Sequence, residues 1–295
     1  MDVEMKIQEP INRVTRKQKL KNYSKHPGSF LLALLTKLAI LLTVLALGFI
    51  LIYILVKGIP NLSTDLFALK YTTENVSMLP AIINTLIITL LSLCIAGPIG
   101  IFSAIYLVEY AKKGNKLVEV VRVTAETLTG IPSIVYGLFG MLFFVTTLKC
   151  GYSLLAGALT LSIMVLPVIM RTTEEALLAV PNSFREGSFG LGAGKLRTIF
   201  KIVLPSAVPG ILAGVILAIG RMVGETAALI YTAGTVAEIP SSIMSSGRKL
   251  AIHMYSLSKE GLYTDQAYAT AVVLLIVVVL INMLSNFVAK KFTKK

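Results

Sequence analysis

The sequence is poor in the residues that build metal centres and disulfide frameworks. It contains two cysteines, Cys94 and Cys150, and two histidines, His26 and His253, none of which has a companion at metal-ligand spacing. Isolated thiols inside or beside apolar segments are typical of small core residues. We therefore expect no metal site and no structural disulfide, and we expect both cysteines to be buried.

Charged residues are also scarce, whereas apolar residues are in excess. Of the 295 residues, 15% are charged and 55% are apolar, and the mean hydropathy is +0.80. A soluble domain has about 25% charged and about 45–50% apolar residues. The apolar residues form blocks long enough to cross a bilayer, which takes about 20 residues each. The sequence therefore predicts an all-α membrane protein.

Six apolar blocks are predicted to cross the membrane as helices. Closely spaced glycines at 210 and 214, and again at 220 and 224, allow the fifth helix to pack tightly against its neighbours. No internal repeat of the kind that many secondary transporters carry is visible. The predicted spans cover residues 30–56, 79–109, 124–148, 151–171, 206–232 and 267–289.

The lysines and arginines predict the orientation of these spans. If the N-terminus is cytoplasmic, 20 of the 28 basic residues lie in cytoplasmic segments and 6 lie outside. Basic residues concentrate in cytoplasmic loops, so both termini are predicted to be cytoplasmic. The domain plan is then a basic segment (1–29), a six-span domain (30–290) and a short tail (291–295). The net charge of +13 follows from this topology and does not indicate nucleic-acid binding.

The long cytoplasmic loop, residues 172–205, is predicted to be a docking element. Ser183-x-x-Glu186 has the pattern of a capping box, which predicts that a helix begins there. Glycines between 187 and 194 predict a sharp turn, after which a second amphipathic helix leads into the fifth span. Aromatic side chains among charges are typical of a protein–protein contact. A helix lying on the inner leaflet fits the same pattern.

The spacing within this loop resembles the EAA loop of ABC importer permeases. Glu186 is followed at the spacing of that motif by Gly192 and then by Ile202, Leu204 and Pro205. Gly187 and Ser188 occupy the two positions at which that motif often has alanines. Two further stretches resemble the permease subunits of phosphate importers, and the resemblance covers most of residues 30–290. These stretches are Thr129 to Gly140 and Gly220 to Ala228.

This resemblance implies the type I importer architecture and a set of partners in the cell membrane. In that family, two different permeases form the pore, an ATPase dimer binds the cytoplasmic loops, and an extracytoplasmic phosphate-binding protein delivers the substrate. The chain would itself be neither an enzyme nor a cofactor carrier, since ATP and magnesium belong to the ATPase. Residues 189–196 also depart from a P-loop. The coupling residues would be Ser183, Phe184, Glu186, Gly192, Leu204 and Pro205.

Two charged residues, Arg221 and Glu225, interrupt the fifth predicted span. Four positions apart, they would share one helix face, and each charge costs about 2.5–3.5 kcal/mol on insertion scales. They form either an internal ion pair or part of an anion pathway, in which arginine binds the oxyanion and the carboxylate accepts a phosphate O–H that sulfate lacks. Arg171, at the inner end of the fourth span, is a second pathway candidate or an ordinary positive-inside residue.

Several alternatives stay open at this point. Residues 233–266, which include Glu238, Arg248, Lys249 and Asp265, are predicted to form either the docking surface for the binding protein or a plain solvated loop. The substrate could be another oxyanion, such as molybdate, sulfate or phosphonate. The chain also fits the sister permease of the same importer. A channel, a secondary transporter or a membrane scaffold explains the loop motif and the intramembrane charges less well.

Overall fold

The computed structural model describes residues 27–112 and 114–293, with the burial of side chains known between residues 28 and 287. Most of the predicted basic segment, residues 1–26, therefore lies outside the described residues, as does the end of the tail, residues 294–295. The chain divides into two compact units, one ending at Ile54 and one beginning at Leu55. All regular elements of the described part are helical.

Eleven α-helices are found among the described residues, three of which continue as short π-helical stretches. These stretches are Tyr106–Tyr110 after α2, Met141–Thr147 after α4 and Ile199–Val203 after α7. The helices are α1 Pro27–Gly58, α2 Leu79–Ile105, α3 Lys116–Thr129, α4 Ser133–Gly140, α5 Leu154–Leu178, α6 Asn182–Gly190, α7 Lys195–Thr198, α8 Leu204–Gly224, α9 Ala227–Ile230, α10 Leu250–Glu260 and α11 Thr264–Thr293.

Five of the six predicted spans are single helices in the described part of the chain, but the third is not. Five helices in the described part are long and apolar enough to cross a membrane, and α3 with α4 makes a sixth only as a pair bent by 104°. The break falls at Gly130-Ile131-Pro132, where Pro132 precedes α4 with φ −58° and ψ 139°. Proline disfavours helical backbone in the residue before it, so α3 stops just short of this turn.

The fifth span also ends earlier than the sequence predicts. Helix α8 stops at Gly224 rather than near residue 232, because Glu225 takes extended backbone angles, φ −68° and ψ 128°. The short helix α9 follows after Thr226. The chain therefore leaves the span inside the predicted apolar block, and this break positions the candidate site described below.

Helix α5 is the centre of the second unit. It packs against α2 and α8, and α8 packs in turn against α11. Leu161, Val165 and Ile169 of α5 are completely buried in the largest apolar cluster. Cys94 is exposed and Cys150 is partly exposed, so the prediction that both are core residues is wrong. An apolar position in a membrane helix can face lipid instead of protein, because lipid is itself apolar.

The glycines of α8 confirm one half of the close-packing prediction. A β-carbon at Gly214 would lie 2.6 Å from Cβ of Thr172, and one at Gly210 would lie 2.6 Å from Cβ of Ala176. Both contacts are with α5, so these glycines let the two helices approach closely. Gly220 and Gly224 have no such neighbour within 4 Å. For this second pair, close packing within the described chain is wrong.

We expect Gly214→Ala to lower the stability of the helix bundle by about 1–3 kcal/mol, because the added methyl group overlaps Thr172 in a packed interface. The thermal unfolding midpoint in detergent measures this effect. Gly220→Ala is the matched control, since alanine there meets open space and has the better helix propensity. Equal midpoints for the two variants would contradict the close contact between α5 and α8.

Candidate transport pathway and coupling loop

The two stretches that the sequence singled out, residues 129–140 and 220–228, meet in the structure. Helix α4 lies against α9, and a β-carbon at Gly137 would lie 2.8 Å from Cα of Ala228. A β-carbon at Gly140 would lie 2.7 Å from the methyl carbon of Thr232. Glycine is therefore needed at both positions for the broken third span to pack against the break after α8.

Arg221 lies beside this junction. It is partly buried near the end of α8, close enough to the buried Tyr136 of α4 to interact with it electrostatically. The hydroxyl of Tyr136 donates to the Leu128 carbonyl at 2.7 Å. Among the residues that the structure describes, Arg221 has no salt bridge and no hydrogen bond from its side chain. A partly buried guanidinium in this state is suited to bind an anion.

Glu225 does not share a helix face with Arg221, so that prediction is wrong. Because α8 ends at Gly224, Glu225 lies in extended backbone beyond the helix. Its Oε1 accepts a hydrogen bond from the backbone N–H of Ala228 at 3.1 Å, which caps α9. Within the described part of the chain it makes no ion pair with Arg221. The prediction of an internal ion pair between Arg221 and Glu225 is therefore wrong for the described chain.

Lys249 is the charge that faces Glu225. Its side chain is completely buried, its Nζ donates to the carbonyl of Met222, and it interacts electrostatically with Glu225. Burial lowers the pKa of Lys249 to about 7, and the charge of Glu225 opposes this shift. A buried lysine whose pKa is perturbed by burial and by a specific charged partner is typical of functional sites. Sequence reasoning missed it because it treated residues 233–266 as one polar loop.

The segment around Lys249 is folded into the protein. Arg248 is 6% exposed and its guanidinium lies over the ring of Tyr71 at 4.7 Å, while Asn84 donates to the Arg248 carbonyl at 3.3 Å. His253 is buried against the same ring, and burial, followed by the charge of Arg248, lowers its pKa to about 3. Arg248 and Lys249 therefore do not form a docking surface or a solvated loop. Glu238 and Asp265 are exposed.

The apolar residues of α10 explain why this segment is buried. Leu250, Ala251, Ile252 and Leu257 are almost completely buried, and α10 packs against α11 and α2. Helical spacing of these residues was the signal in the sequence. The charged residues on either side of α10 hid this spacing when the segment was judged by its overall polarity.

Arg171 lies apart from Arg221, in the part of the second unit from which the loop of residues 172–205 extends. Its guanidinium makes ion pairs with Glu126 at 3.4 Å and with Glu175 at 3.3 Å, and its side chain is 55% exposed. Thr172, the residue after Arg171, lies against Gly214 of α8. Arg221 is seven residues beyond Gly214, which places it about 10 Å further along α8. The structure therefore does not bring Arg171 next to Arg221.

A cavity of about 770 Å³ opens beside Arg171. Its wall includes the ends of α2 and α5 and one side of α3. Besides Arg171, Arg122 lines it, and Arg122 is paired with Glu174 at 2.6 Å. The wall therefore carries charges of both signs and is not a plain basic funnel.

The predicted loop contains the expected two helices, and the first begins just after Pro181 as predicted, but without the predicted capping box. Helix α6 begins at Asn182 after Pro181, and among the described residues the side chain of Ser183 makes no hydrogen bond. The capping-box interpretation is therefore wrong, and α6 runs through the glycine at 187. The turn forms at Gly192, whose φ of +81° favours glycine. As predicted, the second helix continues through Leu204 and Pro205 into α8.

Apolar side chains cover the outer surface of this loop. Leu191 is 91% exposed and Leu196 is 64% exposed, whereas Ile199 is buried. Glu186 is also exposed. A cluster of exposed apolar residues rimmed by charges marks an interaction surface. The other exposed members of the cluster are Phe184, Phe189 and Phe200.

Five helices of membrane-crossing length, a sixth bent pair, a loop with an exposed apolar surface and a partly buried arginine between broken spans are the features of a membrane permease. A family model described as the binding-protein-dependent transport system inner membrane component matches residues 96–295. The chain belongs to this family.

Individual relatives agree with this assignment, and a solved structure has a similar fold. The chain is 32% identical to the probable ABC transporter permease protein YqgI of Bacillus subtilis, over 82% of this chain and 88% of that protein. It is 36% identical to the phosphate transport system permease protein PstA of Pasteurella multocida, over 87% and 92%. The fold is similar to a chain of a bacterial alginate ABC transporter, with a TM-score of 0.67, 17% identity and coverage of 92% and 98%.

Proposed function

We propose that this chain is a permease subunit of an ATP-driven importer of inorganic phosphate and forms half of a heterodimeric pore. The observation that carries the proposal is Arg221, a partly buried guanidinium without a hydrogen bond or salt bridge among the described residues. Two of the similar proteins, from Pasteurella multocida and Haemophilus influenzae, are named phosphate transport system permease protein PstA.

In this proposal, both termini and the loop of residues 172–205 face the cytoplasm. The exposed apolar surface of that loop docks into an ATPase subunit, which supplies ATP and Mg²⁺. A second permease completes the pore, and an extracytoplasmic binding protein delivers phosphate. Of the predicted coupling residues, Phe184 and Glu186 contact the ATPase, whereas Gly192 and Pro205 shape the loop. Ser183 does not cap α6 within the described chain, so the proposal gives it no separate role in the loop.

Phosphate would meet Arg221 between the broken third span and the end of α8. The guanidinium can hold two phosphate oxygens by charge-assisted hydrogen bonds. Oε2 of Glu225 has no donor among the described residues and can accept the phosphate O–H, while Oε1 caps α9. Arg171 would then draw the anion out at the other end of α5, once its two ion pairs open.

The experiment that tests the substrate is competition in proteoliposomes that hold the complete transporter. We expect ATP-driven uptake of labelled phosphate to persist in excess sulfate, molybdate or phosphonate. Uptake of one of those oxyanions in place of phosphate would keep the permease assignment and overturn the substrate.

We expect Glu225→Gln to narrow the preference for phosphate over sulfate by about tenfold, the value of one hydrogen bond to a charged group. The amide nitrogen of glutamine cannot accept a hydrogen bond from the phosphate O–H. The neutral side chain also no longer repels sulfate. Equilibrium dialysis of labelled phosphate and sulfate against the purified permease pair measures the preference. Glu238→Gln, at an exposed carboxylate, is the matched control. An unchanged preference in Glu225→Gln would remove this residue from selectivity.

A further inference from the structure

Arg185 connects the coupling loop to two membrane helices through one guanidinium. Its Nε and Nη2 donate to Oε1 of Glu109 at 3.1 and 2.7 Å. Its Nη1 donates to the Val180 carbonyl at 2.8 Å, and Nη2 also donates to the Leu177 carbonyl at 3.0 Å. Glu109 ends the second span, and the two carbonyls lie at the end of α5. Helix α6 is therefore tied to both spans at a single side chain.

This connection is shielded from solvent. The side chains of Arg185 and Glu109 are 15% and 9% exposed. By contrast, the ion pairs of Arg171 join side chains that are all more than half exposed. Exposed pairs are loose and contribute little, whereas a buried arginine with several fixed hydrogen bonds holds its neighbours in one geometry.

Few other side chains of α6 contact the rest of the protein. No residue of α6 is buried, and only Arg185 and Ser188 are partly buried. Ser188 bonds to Thr198 at 2.8 Å, which lies within the coupling loop itself. Phe184 and Phe189 are about half exposed, at 48% and 47%. The apolar side chains of α6 thus remain available to a partner, and Arg185 carries the side-chain link to α2 and α5.

We propose that Arg185 is a positioning residue that transmits movement of α6 to the ends of α2 and α5 during transport. This inference rests on the proposed function, in which an ATPase moves the coupling loop. Coupling between distant parts of a protein is carried by packed side chains, hydrogen-bond and salt-bridge networks and rigid helices, and Arg185 supplies such a network between α6 and the two spans. Without the Arg185–Glu109 pair, α6 still docks and moves, but α2 no longer follows it in full.

The test compares Arg185→Gln, Glu109→Gln and the double variant in the complete transporter, reconstituted in proteoliposomes. We expect the maximal uptake rate to fall about tenfold or more, with ATP hydrolysis within about twofold of wild type, so that the ATP hydrolysed per phosphate rises. The double variant should match Arg185→Gln, because Glu109 has no further role once Arg185 is replaced, whereas Glu109→Gln alone keeps the two carbonyl hydrogen bonds of Arg185. Arg185→Lys, which keeps the charge without the fork, should lie between.

Arg122→Gln is the matched control. It removes an ion pair of 2.6 Å between α3 and α5 that does not involve α6, so the ATP consumed per phosphate should stay at the wild-type value. Co-purification of the ATPase with each variant separates transmission from docking.

An unchanged ratio in Arg185→Gln would overturn the inference, and so would loss of uptake together with loss of the ATPase from the complex. If wild type transports another oxyanion, the phosphate proposal fails. The same ratio, measured with that oxyanion, still decides the role of Arg185.

Discussion

Replacing Arg221 with glutamine is expected to lower the maximal rate of phosphate uptake about ten- to a hundredfold. The reason is that each hydrogen bond to a charged group contributes about 1.5–3 kcal/mol, and glutamine cannot supply the charge or the fork. Because Arg221 has no salt bridge or hydrogen bond among the described residues, its removal leaves no protein group unpaired. Folding and ATPase assembly should therefore be retained. Uptake in proteoliposomes, together with co-purification of the ATPase, measures both.

Arg221→Lys separates the charge from the geometry. Lysine keeps the positive charge but binds as a point donor, so uptake should recover in part. Arg248→Gln is a useful comparison, because Arg248 is a buried arginine that lies over the ring of Tyr71. Its loss should affect the unfolding midpoint more than uptake. If Arg221→Gln transports phosphate at the wild-type rate, Arg221 is not on the pathway.

Replacing Lys249 with methionine is expected to stabilise the protein at or below pH 7, by about 1–4 kcal/mol. Methionine fills similar volume without the desolvation penalty of a buried charge, and Glu225, which is only partly buried, remains hydrated. At about 2–4 °C per kcal/mol for a unit of this size, the unfolding midpoint should rise by several degrees. A lower midpoint in Lys249→Met would mean that the Lys249–Glu225 interaction outweighs the desolvation penalty.

The pH dependence of stability provides a second readout for Lys249. Its pKa is about 7 in the folded protein and 10.5 without the fold, so between these values the unfolded chain binds a proton that the folded chain does not. Wild-type stability should therefore rise with pH from about 7 to about 10.5 and stay low below pH 7. Lys249→Met should lack this part of the slope. An identical slope in both proteins would contradict the lowered pKa.

The positions of the membrane spans were predictable from apolar block length, but their breaks were not fully predictable. Gly130 to Pro132 contains the signal for the break between α3 and α4, since proline and glycine disfavour helix there. Gly224 alone did not predict that α8 ends before Glu225, because glycine is common inside membrane helices. The apparent four-residue spacing of Arg221 and Glu225 therefore gave the wrong geometry.

The candidate site depends on contacts between distant parts of the chain, and these were only half predictable. The two stretches around Gly137 and Arg221 were singled out separately, and the structure shows that they meet. Lys249 was missed because its burial depends on α10 packing against α2 and α11. The helical spacing of the apolar residues in α10 predicts that helix but not its neighbours. In the loop, the turn at Gly192 was predictable because a left-handed backbone favours glycine, whereas the tie of Arg185 to Glu109 spans 76 residues.

The most direct test of the proposed function is the energy source of phosphate uptake. Proteoliposomes containing this chain, its partner permease, the ATPase and the binding protein should accumulate labelled phosphate only when ATP and Mg²⁺ are present on the ATPase side. A non-hydrolysable ATP analogue should give no accumulation. Accumulation without ATP, driven by an ion gradient alone, would contradict an importer that is powered through the coupling loop.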